Sequence, residues 1–269
     1  MTTPVAFDDP EIGALYDAGR GIYYKKPALR GWLHLMWFVA SLFAGALLVA
    51  RVHGSVRMAA VTVYAASASA LFGVSSLYHR GNWSAAWARR LQRLDHAMIV
   101  FLIVGTATPA FLLAAPGGFG RVCLVILWAL AVTAVVARLA RMQAPELVIG
   151  AMFVGLGLVA GLSLPEVWIH AGAAPGALML AGGVLYTAGA ISYHRRRPDP
   201  YPSVFGYHEV FHAYVCAAAS CQFIGIALLA ARTLRTGRPG KSAAHDRQGN
   251  QRPVVEERRD LLRRRRDLR

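Results

Sequence analysis

Charge is what this sequence has least of. Asp, Glu, Lys and Arg make up 16% of its 269 residues, against roughly 25% in soluble domains. The charges present also collect in short clusters and leave long stretches with none, which excludes an ordinary water-soluble globule. Cysteine is scarce as well. Cys123, Cys216 and Cys221 all fall in apolar stretches, where they read as small core residues and not as a disulfide framework. A basic start running straight into an apolar segment is missing, so residues 1–30 do not read as a cleaved signal peptide. They place Asp8, Asp9, Glu11 and Asp17 ahead of Arg20, Lys25, Lys26 and Arg30, and read as a short cytosolic lead-in with room for an interfacial helix. A basic folded domain is missing too. The net charge is +15, but residues 233–269 alone carry 12 basic and 5 acidic residues, so about half of the excess lies in one tail. Nucleic-acid binding needs a basic folded surface, and no nucleic-acid partner is expected.

What the sequence has instead is apolar length. Its composition is 56% hydrophobic and its mean hydropathy is +0.41. A bilayer core of about 30 Å takes roughly 20 apolar residues as helix, and seven stretches qualify: residues 31–50, 58–78, 95–115, 122–137, 147–164, 176–193 and 208–231. The expected fold is all-α, a seven-helix polytopic membrane protein. Its expected organisation is a cytoplasmic segment at 1–30, a seven-helix domain at 31–232 and a basic, disordered tail at 233–269. Small residues recur within the spans, as in Ala65–Ala70 and at Gly155, Gly157 and Gly161, and let helix backbones approach closely in lipid.

The positive-inside rule sets the orientation. The flank and loops on the N-terminal side carry four basic residues before residue 31, four at 80–93, two at 138–141 and three at 195–197. The opposite loops carry Arg51, Arg57 and Arg121. This places the N-terminus in the cytoplasm and the protein in the cell (inner) membrane. It leaves the Arg-rich tail outside, which narrows the bias without reversing it.

Ionisable groups inside spanning helices are costly and are functional candidates by default. His208 and His212 sit at i, i+4 at the start of the seventh span, on one helix face. Ser75 and His79 repeat that spacing at the end of the second span, and Asp95 opens the third. Connectivity puts the end of the second helix and the starts of the third and seventh on one side of the membrane. All five groups therefore lie at one depth, whichever way the bundle is oriented. Each has an ordinary alternative: an interfacial histidine for His79, a helix cap for Asp95, a structural pair for His208 and His212. Together they point to a metal site, because three imidazoles with a fourth position open is the ligand count of catalytic zinc. Haem is the rival. His208 and His212 cannot take opposite axial positions, but His79 with one of them can.

These residues match a known pattern. Ser75-xxx-His79, the run LDHAMIVFLIVGTATP from Leu94 to Pro109, Gly206-Tyr207-His208-xxx-His212 and KPALRGWLH at Lys26–His34 resemble the bacterial hemolysin III family. That family is related to the progestin and adipoQ receptors and, more distantly, to alkaline ceramidases. The resemblance covers about residues 22–232. It implies seven helices, an N-terminus inside and zinc near the cytoplasmic face. It assigns His79, His208 and His212 as the ligands, Asp95 to hold the metal's water and Ser75 to the shell behind them. The expected chemistry is zinc-dependent hydrolysis of a lipid amide or ester, with Asp95 as general base, Ser75 orienting Asp95 or holding the oxyanion, and membrane lipid as the partner. Two other readings stay open: a membrane sensor stapled by structural zinc, and membrane permeabilisation. His34 and His96 lie near the same depth, with room to pack beside the site, and are assigned structural roles. Glu209 is expected to face away from the pair, about 100° around the helix. Gln222 is expected to bond between helices, and His170 and Glu166 to lie on the far loop.

Overall fold

The structure is a computed structural model, and it describes residues 14–17, 22–115, 117–140 and 146–236. The disordered tail expected at 233–269 lies almost wholly outside them. Two short strands, β1 (Ala14–Asp17) and β2 (Ile22–Lys25), pair antiparallel where the sequence left room for an interfacial helix. Eight helices follow among the described residues: α1 Trp32–Arg51, α2 Ser55–Arg80, α3 Ala85–Ala114, α4 Gly118–Leu139, α5 Glu146–Gly161, α6 Leu164–Ala171, α7 Ala173–Arg195 and α8 Tyr207–Thr236. Seven helical segments are long and apolar enough to cross a membrane, with parts of α5 and α6 together forming the fifth at Met152–Ala171.

Two boundaries differ from the sequence expectation, each for a physical reason. The fifth span does not stop at Pro165. Helix α5 ends at Gly161, and α6 restarts at Leu164 with Pro165 in its first turn, where a missing N–H costs nothing. The third helix begins at Ala85, ten residues before Asp95. Its first turns carry Arg89, Arg90 and Arg93, so hydropathy registers only the part beyond them. Asp95 is therefore inside a helix and is not its cap.

The seven segments are not equivalent. In α2, α3 and α8 at least 44% of the most apolar window is buried within the protein; in the other four segments the share is at most 28%. Helices α2, α3 and α8 thus form the interior, and the others line it. The outward faces carry Phe43, Val125, Leu158 and Ile169, each at least 68% exposed, as a surface in contact with lipid tails would. Inside, Ala68, Leu71 and Phe72 of α2, Leu102 of α3 and Val215, Cys216 and Ala219 of α8 make one cluster. Lipid gives apolar helices no drive to associate, so polar bonds between them matter more. Ser41 bonds Ser69 at 2.9 Å, Trp37 Nε1 donates to Ser220 Oγ at 3.2 Å, and Trp128 Nε1 donates to Thr108 Oγ1 at 3.2 Å. Gln222 bonds between helices as expected, donating to the Met179 carbonyl at 3.0 Å.

The chain entering α1 is strapped to the chain entering α8. Ala28 N donates to the Ser203 carbonyl at 3.0 Å and Leu29 N to the Val204 carbonyl at 3.1 Å. Gly31 then turns the chain into α1 at φ +78°. A Cβ added at Gly31 would stand 3.0 Å from both His79 Cβ and Arg80 Cγ. Gly31→Ala is therefore expected to lose at least the 1–2 kcal/mol or so of a left-handed non-glycine residue. Thermal unfolding of the variant in detergent checks this, and a melting point equal to the parent's would remove the argument.

Candidate metal centre

The last turn of α2 and the first two turns of α8 end at the same place. His79 comes from the former, and His208 and His212 from the latter. One ligand nitrogen from each lies within 4.8 Å of the others. His79 Nε2 and His208 Nε2 are 3.2 Å apart. The ring centroids stand 4.6 Å apart for His79 and His208, 4.5 Å for His208 and His212, and 5.0 Å for His79 and His212. The i, i+4 spacing on α8 aligns two rings, and packing of α8 on α2 supplies the third.

This donor set fits a tetrahedral cation. Bonds of about 2.0–2.1 Å from imidazole nitrogen imply neighbouring nitrogens roughly 3.3 Å apart, close to the observed 3.2 Å. His212 Nδ1 is buried with no hydrogen-bond partner among the described residues, a cost that a structure normally avoids. For His79 with His208 the haem alternative does not fit, since a porphyrin has no room between two nitrogens 3.2 Å apart.

Asp95 reaches the cluster from α3. Its Oδ2 lies 3.8 Å from His79 Nε2, too far for a direct hydrogen bond but near enough to act on a group held by the three imidazoles. Ser75, one turn before His79, is buried. Its hydroxyl bonds His34 Nδ1 at 2.8 Å and also interacts with the Asp95 carboxylate. All five residues singled out in the sequence thus meet at one place.

His34 packs beside the cluster, as its depth allowed. Its ring stacks on His212 with centroids 3.7 Å apart and an interplanar angle of 13°, and its Nε2 is buried without a partner among the described residues. The available signal was its place in the first turn of α1, at the depth of the other histidines. His96, by contrast, is turned to α4, where Arg138 donates to its Nδ1 at 2.7 Å. His170 and Glu166, expected on a loop, lie instead in α6 within the fifth membrane-crossing segment, and pair with each other at 3.2 Å.

The N-terminus of α8 is held by carboxylates. Asp199 Oδ1 accepts from Tyr207 N at 2.9 Å, and Glu209 Oε2 accepts from Gly206 N at 2.9 Å, meeting the orphan donors of a helix start. The other oxygen of Glu209 pairs with Arg30. Glu209 lies outside the imidazole cluster but is 1% exposed, a buried ion pair and not an idle outward face.

With this geometry established, the relatives can be placed. The sequence matches the family described as Haemolysin-III related over residues 22–223. The chain belongs to the haemolysin-III related family. Among curated proteins it is 27% identical to the Hemolysin-3 homolog of Bacillus subtilis (strain 168) over 133 residues, which is 49% of this chain and 60% of that protein. It is 26% identical to Hemolysin-3 of Bacillus cereus over 172 residues, 64% of this chain and 75% of that one. This haemolysin-III related protein is accordingly a multi-pass membrane protein, and the match to the family takes in every residue of the cluster.

The Arg30–Glu209 pair gives a direct test of how the site is held. Breaking one partner of a buried ion pair strands the other charge, at a cost of about 3–5 kcal/mol. Glu209→Gln is expected to lower the melting temperature in detergent sharply, and Asp199→Asn, which keeps the side-chain oxygen that accepts from Tyr207 N, less so. A Glu209→Gln protein as stable as the parent would show that the pair does not hold α8 in place.

Proposed function

We propose that His79, His208 and His212 hold a zinc ion and that the protein is a zinc-dependent hydrolase of membrane lipid amides or esters. The observation that carries this reading is the convergence of three imidazole nitrogens within 4.8 Å, with a carboxylate 3.8 Å from one of them. Zinc held by three imidazoles with a fourth position open supplies Lewis acidity to a carbonyl and to water. Asp95 takes the proton of the attacking water and passes it to the leaving amine or alkoxide as the acyl C–N or C–O bond breaks, the role of a general base that becomes a general acid. Ser75 orients Asp95, and through His34 it is tied to the ring stacked on His212. The substrate reaches the site from the surrounding bilayer. The excess of basic residues in the loops of the N-terminal side supports a site in the cytoplasmic half of the cell membrane.

A second reading has one observation in its favour. His212 is 2% exposed, a depth that suits a metal which staples helices in a sensor. Permeabilisation, which the relatives' name evokes, fits less well, because large side chains such as Phe72, Phe111 and Leu127 fill the interior.

Metal analysis of the purified protein is expected to find about one zinc per chain, and His208→Ala with His212→Ala to remove it. Zinc content unchanged in that double variant would overturn the ligand assignment. Asp95→Asn is expected to keep the metal and to slow turnover of ceramide-like or phospholipid substrates by about 10²–10⁴-fold. If the parent turns over a substrate and Asp95→Asn matches its rate, Asp95 is not the base.

A further inference from the structure

Beside the imidazole cluster, and separate from it, is a cavity of about 220 Å³ whose lining includes Lys26, Arg30, Trp32, Arg80 and Asn82. Three cationic side chains thus face one small volume. Glu209 engages one of them, Arg30, through one oxygen and accepts from Gly206 N with the other. The cavity lies where α1 begins and α2 ends, the level at which lipid headgroups meet the ends of spanning helices.

Basic residues at helix ends ordinarily reach out into water. These are held. The Arg80 guanidinium lies 3.7 Å over the Trp32 ring, and Lys26 Nζ donates to the Gly81 carbonyl at 3.4 Å. Arg30 is fixed by Glu209. The strap to Ser203 and Val204 fixes the backbone that carries Ala28 and Leu29. Two guanidiniums and an ammonium held around one volume, with the Asn82 amide on its lining, make a receptor for tetrahedral oxyanions, because charge-assisted bonds to phosphate are strong and the charged donors are already oriented.

We propose that Lys26, Arg30, Arg80 and Asn82 form a binding pocket for a phosphate group, carried by the headgroup of an anionic phospholipid or free in solution. Asn82 supplies the one uncharged donor, and Trp32 supplies the apolar wall along which a lipid's glycerol and first acyl carbons lie. The pocket does not depend on whether the neighbouring imidazoles hold a metal, so its test is binding and not turnover.

The experiment uses the full chain in non-ionic detergent. Short-chain phosphatidic acid and the matching diacylglycerol are titrated by native mass spectrometry, and inorganic phosphate is added as competitor. Phosphatidic acid is expected to bind more tightly than diacylglycerol. Lys26→Gln and Arg80→Gln are each expected to weaken it about tenfold, the loss of one charge-assisted contact. Lys26→Arg is expected to retain binding, which separates lost charge from misfolding, and Arg121→Gln at the opposite end of the bundle to change nothing. Displacement by phosphate would assign the pocket to the phosphate group from either source. Binding that phosphate cannot displace would assign it to the lipid-borne form. Equal affinity for diacylglycerol and phosphatidic acid, or full affinity in a stably folded Lys26→Gln and Arg80→Gln double variant, would overturn the proposal.

Discussion

A bilayer offers a buried imidazole nothing to bond with, so each one must be satisfied by the protein. That constraint arranges this molecule. The helices carrying His79, Asp95, His208 and His212 are the three that the others surround, while the other four segments turn most of their length outward. The interior at this depth is polar: His34, Ser75, His212 and Glu209 are all buried. Most of these groups answer one another, Ser75 with His34 and Glu209 with Arg30 and Gly206. The exceptions, His212 Nδ1 and His34 Nε2, fall in or against the cluster, which is where an unfilled requirement carries functional meaning.

Convergence of side chains from separate helices also needs their backbones fixed along the helix axis, since a shift of one residue moves a side chain by 1.5 Å and rotates it by about 100°. Here the fixing is done by polar contacts at the helix ends. Asp199 and Glu209 set where α8 starts. Arg30 ties that start to the entry of α1, and Gly31, lacking a Cβ, lets the same entry lie against the His79–Arg80 turn of α2. Three helix ends are thereby locked together through a few residues outside the cluster.

The sequence made the bundle legible because hydropathy and span length are demanded by the membrane itself. It made the cluster legible because connectivity alone fixes which helix ends share a side. It did not reveal the start of α3, where Arg89, Arg90 and Arg93 extend a helix past its apolar part, nor the restart at Pro165, which reads as a stop until its place in a first turn is seen. The Arg30–Glu209 pair joins residues 179 positions apart, and no local pattern marks it. His34 was visible as a histidine at the right depth, but its stacking on His212 depends on how α1 packs, which periodicity does not carry.

The end of α2 bears on both proposals. His79 and Arg80 are adjacent, so their side chains diverge by about 100° around the helix. The first turns into the imidazole cluster and the second lies over Trp32 at the cavity. One turn of helix thus borders a buried polar centre and a cationic surface pocket at once, with Gly31 packed against both residues. A phospholipid whose phosphate rests on Arg80 would have its polar linkages within about a side chain's length of His79. On the two proposals together, headgroup recognition and acyl chemistry would be coupled by the geometry of two consecutive residues.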